Sequence, residues 1–82
     1  MSYTGTGEPT NADRAEWAEK AIKVFAVEVG EDSDLEADPE TVLSDLIGDL
    51  MHYCDIRKVD WYEALRRGTN YHSEEVEEEE DN

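Results

Sequence analysis

Asp38-Pro39-Glu40 opens the stretch of this chain whose conformation is most tightly dictated residue by residue. An Asp side chain accepts hydrogen bonds from the free amides of a first helical turn. Pro at the first helical position gives up no hydrogen bond, and Glu in the first turn suits the positive end of the helix dipole. From there Val42, Leu43, Leu46, Ile47, Leu50, Met51 and Cys54 recur at i, i+3, i+4 and i+7. That spacing predicts an amphipathic helix through about Asp55 or Ile56, with one face turned to a core.

Two further helices follow from the same reasoning. Thr10 or Asn11 can cap a first helix, with Asp13 adding charge where the dipole favours it. Ala18, Ala21, Ile22, Phe25 and Val29, widened by Trp17 and Val24, form its apolar stripe, and Gly30 ends it as a left-handed C-cap. Asp60-Trp61-Tyr62-Glu63 reads as a capping box in which Glu63 reaches back to the Asp60 amide. Trp61, Ala64, Leu65, Gly68 and Tyr71 or His72 continue that third helix's packing face, with Gly68 marking either a close helix crossing or a weak point. The segment from Glu31 to Ala37 is an acidic connector with one apolar residue, Leu35; it lacks the Gly and terminal Glu positions of a calcium loop. No strand pattern is present. The expected fold is all-α, a small three-helix bundle or a helical hairpin with a third packed helix. Residues 1–9 are expected as a flexible leader, 10–73 as the helical domain and 74–82 as an acidic tail that frays from Ser73 onward through self-repulsion.

Charge restricts the partners. Twenty-three Asp and Glu against seven Lys and Arg give a net −16, and seven of the acids lie in the last nine residues, so the rest of the chain still carries −9. Such a field repels phosphates and anionic lipid, which excludes direct nucleic-acid and membrane binding and favours a basic protein surface. At 82 residues the core must be modest, too small to enclose a deep catalytic cavity. The single cysteine, Cys54, fits a reducing compartment and lies on an apolar stripe, where it reads as a small buried hydrophobe. With no signal-peptide pattern and no apolar run of roughly 18 residues, a cytoplasmic protein is expected.

Asp45, Asp49 and His52 lie at i, i+4 and i+7 and share one direction, and Glu16 and Glu19 form a Glu-x-x-Glu pair on the first helix. Two carboxylates and an imidazole suit a divalent cation, yet the same residues also make a solvated face opposite Leu43, Leu46, Ile47, Leu50 and Cys54. The solvated face is preferred, because carboxylates are abundant in this chain. His52 with Tyr53, and His72 with Tyr71, offer proton-transfer groups without a nucleophile motif beside them. Arg57, Lys58, Arg66 and Arg67 are expected to pair with nearby acids.

The stretch from Asp45 to Asp55, with Asp60 to Arg67 and then Tyr71-His72, resembles small acidic helical proteins of bacteria, phages and mobile elements, a group that brings no established activity with it. It is also distantly similar to MazG-like all-α nucleotide pyrophosphatases. That similarity implies magnesium held against a triphosphate by Glu16 and Glu19 and by Asp45 and Asp49, the latter spaced by four where the family has three, in an active site built in oligomers.

The function expected first is therefore a non-enzymatic acidic binding protein without cofactor. It presents Glu16, Glu19, Asp45, Asp49, Glu74 and Glu75 to a basic protein partner, as a nucleic-acid mimic or inhibitor of the kind mobile elements carry. The alternative is a MazG-like, magnesium-dependent nucleoside triphosphate pyrophosphatase using Glu16, Glu19, Asp45 and Asp49. A homodimer covering Trp17, Trp61 and Tyr53 is compatible with either.

Overall fold

The structure, a computed structural model, describes residues 8–80; within them it is all-α, with no strand. Four helices follow in order: α1 (Asn11–Val29), α2 (Asp34–Ala37), α3 (Pro39–Arg57) and α4 (Trp61–Glu80). Most of the leader and the last two positions of the tail lie outside the described residues.

The helix ends are set by local chemistry. Thr10 is extended, its Oγ1 accepts the Asp13 amide at 3.1 Å, and Asp13 accepts the Thr10 amide at 2.9 Å, a complete capping box built with Asp. Gly30 closes α1 at φ 78°, donating to Val27, while the Glu31 amide reaches the Ala26 carbonyl at 2.7 Å. This doubled closure is the Schellman arrangement. Asp38 caps α3 by accepting from both the amide and the hydroxyl of Thr41. At the other end of α3, Lys58 adopts the left-handed conformation, φ 62°, where glycine is the usual residue. Asp60 accepts the Glu63 amide at 3.1 Å, but the return arm expected of Glu63 is replaced: its carboxylate turns to Arg66 and Arg67. The guanidiniums win because charge-assisted bonds are stronger than one to a neutral amide.

Two expectations about chain organisation change. The acidic connector contains a full helical turn, α2, closed by the Asp38 amide on the Asp34 carbonyl at 2.7 Å. The third helix does not stop at Ser73 but runs to Glu80. Its last turns are tied to the start of α1, which offsets the repulsion among the glutamates.

Packing is sparse. α1 packs against α3 and α4, and α2 against α3; α3 and α4, joined through Lys58 to Asp60, share no comparable packing. Among the described residues only Ala26, Val42 and Cys54 are buried. Ile22, Phe25, Leu46, Met51 and Trp61 are half-buried, whereas Ala18, Ala21, Val29, Leu43, Ile47, Leu50, Ala64, Leu65 and Tyr71 of the expected core stay exposed. The radius of gyration, 14.8 Å, exceeds the roughly 12 Å of a compact chain this long. The three expected helices are present, with α2 added and α4 longer than expected, and the described residues bury little between them.

Candidate interaction surface

The expected site residues fall in three places. Glu16 and Glu19 lie on α1, each paired one turn on with a lysine, Lys20 at 3.7 Å and Lys23 at 3.9 Å. Such exposed i, i+4 pairs contribute about 0.3–0.5 kcal/mol each and leave the carboxylates hydrated.

Asp45 and Asp49 lie in a recess of about 280 Å³ between the end of α1 and the side of α3, lined by Phe25, Val29, Glu31, Ser44, Gly48 and His52 as well. Glu31 is the group that sequence reasoning missed. Its Oε1 is enclosed without a hydrogen-bond partner. Its pKa is raised, first by a side-chain hydrogen bond with Asp45, then by desolvation and by the charges of Asp45, Asp34 and Asp49. Gathered carboxylates and partial enclosure therefore make Glu31 hold its proton more readily than an isolated carboxyl. The local clue was available: Glu31 follows the Gly30 cap, whose geometry turns the chain back toward the next helix. Among the described residues, no three His, Cys, Asp or Glu side chains are placed to hold a metal ion. Glu16, Glu19, Asp45 and Asp49 are thus not gathered into a ligand set within one chain.

The third place is the end of α4. The Asn11 backbone amide donates to Glu79 at 2.5 Å, the Asn11 side-chain amide donates to the Glu75 carbonyl at 3.1 Å, and Arg14 meets the Glu75 carboxylate at 3.2 Å. Arg14 is held in turn by the Asn11 side-chain oxygen at 2.6 Å. Glu79 therefore places a carboxylate at the positive end of α1, where the first amides have no partner within the helix. Glu75 is committed to the fold, while Glu74 beside it is exposed.

The exposed apolar side chains form the rest of the surface. Leu43, Ile47 and Leu50 lie along one stripe of α3 and are 48, 41 and 39% exposed. Helical geometry puts Asp45, Asp49 and His52 on the opposite side, and that polar side is the one α1 approaches at the recess. On α4, Trp61, Ala64, Leu65, Gly68, Thr69 and His72 line a shallow, mainly apolar groove of about 430 Å³. A Cβ placed on Gly68 would meet nothing within 4 Å, so no helix crosses closely there within the chain. Cys54 is buried and free, as its place on the stripe implied. His52 lies at the α3 recess and His72 at the α4 groove, so the two histidines belong to separate places.

No helix among the described residues is long and apolar enough to cross a membrane. Compared with known proteins, the chain matches no family model, no curated protein and no solved structure at a significant level.

Proposed function

We propose that this protein is a non-enzymatic acidic binding protein that engages a basic surface of a protein partner and imitates the charge of nucleic acid there. The observation that carries the reading is the end of α4. Glu74, Glu75, Glu77, Glu78, Glu79 and Glu80 all lie within one continuous helix, and the contacts to Asn11 and Arg14 hold that helix in place. Six carboxylates over seven residues, at 1.5 Å rise per residue and with Glu75 neutralised by Arg14, leave roughly one charge per 2 Å of axis. Duplex DNA presents about one per 1.7 Å. A helical segment keeps that density in a fixed array, where a coil would spread it, and a fixed array loses less entropy on meeting a basic cleft. Arg14, Lys20, Lys23, Arg66 and Arg67 are engaged within the chain, which leaves the outward field acidic. The metal-dependent alternative needs Glu16, Glu19, Asp45 and Asp49 to converge, and no observation favours that.

The test is competitive capture. Immobilised protein is offered basic DNA- and RNA-handling proteins, and bound material is challenged with a short duplex oligonucleotide at fixed salt. Retention is expected, with release by the oligonucleotide and by salt. A variant with Glu74, Glu77, Glu78 and Glu80 changed to Gln, its helix content checked by circular dichroism, should lose retention about tenfold or more. Unchanged retention by that variant would sink the reading.

A further inference from the structure

We infer that α4 is an arm, hinged at Lys58 to Asp60 and fastened at its far end, so that opening one polar clasp releases the whole helix while α1, α2 and α3 stay packed. This goes beyond the acidic binding role and does not rest on it. The first argument is where α4 is held. α1 and α2 both pack on α3, whereas α4 packs appreciably on α1 alone, and none of its residues is buried. The polar contacts that join it to α1 lie at one end, Asn11 and Arg14 against Glu75 and Glu79. Beside them lies a cavity of about 300 Å³ lined by Asn11, Arg14, Ala15, His72, Glu75 and Val76. Polar groups, rather than close-packed side chains, therefore carry the contact.

The second argument is that α3 and α4 are each finished without the other. The Val59 amide meets the Cys54 carbonyl at 2.9 Å as Lys58 takes the left-handed turn, which closes α3. Asp60 then starts α4 by accepting the Glu63 amide on its side chain and the Ala64 amide on its carbonyl, and Glu63 holds Arg66 and Arg67 one turn on. The first half of α4 keeps these bonds whether or not the far end is fastened. Two locally complete helices on a short link make a hinge.

The third argument is the chemistry of the clasp. The Arg14 and Glu75 side chains are 27 and 33% exposed, so water can take the place of each partner, and parting them uncovers little apolar surface. Segments held in this way open locally, well before the whole fold is lost. Opening also returns Glu75 and Glu79, otherwise committed to α1, to the acidic end of α4.

The measurement is spin-label distances on the full chain carrying Cys54→Ala, with labels at exposed positions. One pair, Ala18→Cys with Asn70→Cys, spans α1 and the middle of α4; a second, Ala18→Cys with Asp55→Cys, spans α1 and α3. The clasp is reversed by Asn11→Asp with Arg14→Glu, which sets carboxylates against Glu75 and Glu79 and keeps acids where the dipole of α1 favours them. In the parent both pairs should give one narrow distance. In the reversed chain the α1–α4 pair should lose its narrow peak and spread to longer distances, while the α1–α3 pair is unchanged. An unchanged α1–α4 distance would show that only the tip of α4 frays, and an α1–α3 distance that spreads as well would show that α4 does not open separately; either overturns the inference. Lys20→Glu with Lys23→Gln adds the same charge to α1 away from the clasp and should leave both pairs narrow. Spreading of the α1–α4 pair there would assign the release to net charge and overturn the role of the clasp.

Discussion

The two halves of α4 are held in opposite ways. Its first half carries Trp61, Ala64, Leu65 and Gly68, and these line a groove with nothing over it. Its second half holds six glutamates in ten residues, yet it is the part fastened to α1, through Asn11, Arg14, Glu75 and Glu79. The polar half is anchored because a helix N-terminus and one guanidinium offer directional partners that a single chain can supply. The apolar half is uncovered because burial needs area, and the described residues, three of them buried, have little to give. Within one helix, the chain completes what hydrogen bonds can complete and leaves open what only a surface can.

The largest effect that separates these halves is expected at Leu65, 50% exposed in the single chain. If its environment were only what one chain provides, Leu65→Ala would lose at most about 1 kcal/mol of burial. If a partner surface closes over the groove, the loss rises to roughly 2–4 kcal/mol, the range of a covered leucine. We expect the smaller value in urea unfolding at fixed protein concentration, since among the described residues nothing closes over the groove, and the larger one would reveal a partner surface there. A smaller effect is expected at the clasp. Arg14 and Glu75 are about two-thirds shielded, so a double-mutant cycle with Arg14→Ala and Glu75→Ala should give a coupling of about 0.5–1 kcal/mol. Hydrogen exchange should rise across residues 75–80 in either variant while α3 is unaffected. A coupling near zero would mean that the end of α4 is held by Asn11 and Glu79 alone.

The helix ends were legible because caps are local. Thr10 with Asp13, Gly30, and Asp38 with Pro39 each bring donor and acceptor within a few residues, and periodicity located the stripes between them. Two things were not legible, for different reasons. Spacing identified the apolar stripe of α3, Val42 through Cys54, but not how much of it the chain buries: Val42 and Cys54 are buried while Leu43, Ile47 and Leu50 stay exposed, and α1 meets α3 at the recess that also holds Asp45 and Asp49. Likewise the repulsion among the last glutamates argued for fraying, whereas Asn11 and Arg14, more than sixty positions earlier in the chain, meet Glu75 and Glu79. No local pattern encodes such a pairing. The candidate site was visible as acid and invisible as arrangement, since Glu75 belongs to the clasp and Glu31 was passed over as connector.

Lys58 tests how far local completion extends. It takes the left-handed C-cap of α3 at φ 62°, which costs an L-residue about 1 kcal/mol and glycine very little. Lys58→Gly should therefore stabilise the fold by about 0.5–1 kcal/mol despite the greater freedom of glycine in the unfolded chain. The readout is the urea midpoint with unchanged slope. A loss of stability would show that the Lys58 side chain contributes more than its backbone conformation costs.

The smallest expected effect concerns Glu31. Its folded pKa lies above the ordinary 4.5, so between that raised value and 4.5 the folded state binds a proton that the unfolded state does not. Stability then rises as pH falls through this window and is lost again as pH rises. Glu63 works in the other direction. Arg66 and then Arg67 hold its pKa below 4.5, so its contribution is present above 4.5 and disappears as pH falls through its lowered folded value. Acidification from pH 7 should first raise the urea midpoint and then lower it. Relief of the overall negative charge adds to the first limb, and a variant separates the two causes. Glu31→Gln keeps the shape and gives Asp45 an amide donor at every pH, with Asp34, Asp49 and His52 left as they are. The variant should follow the general charge effect alone and show a shallower rise between pH 7 and 4.5. Identical slopes for the two chains in that window would mean that Glu31 is not held protonated by its surroundings.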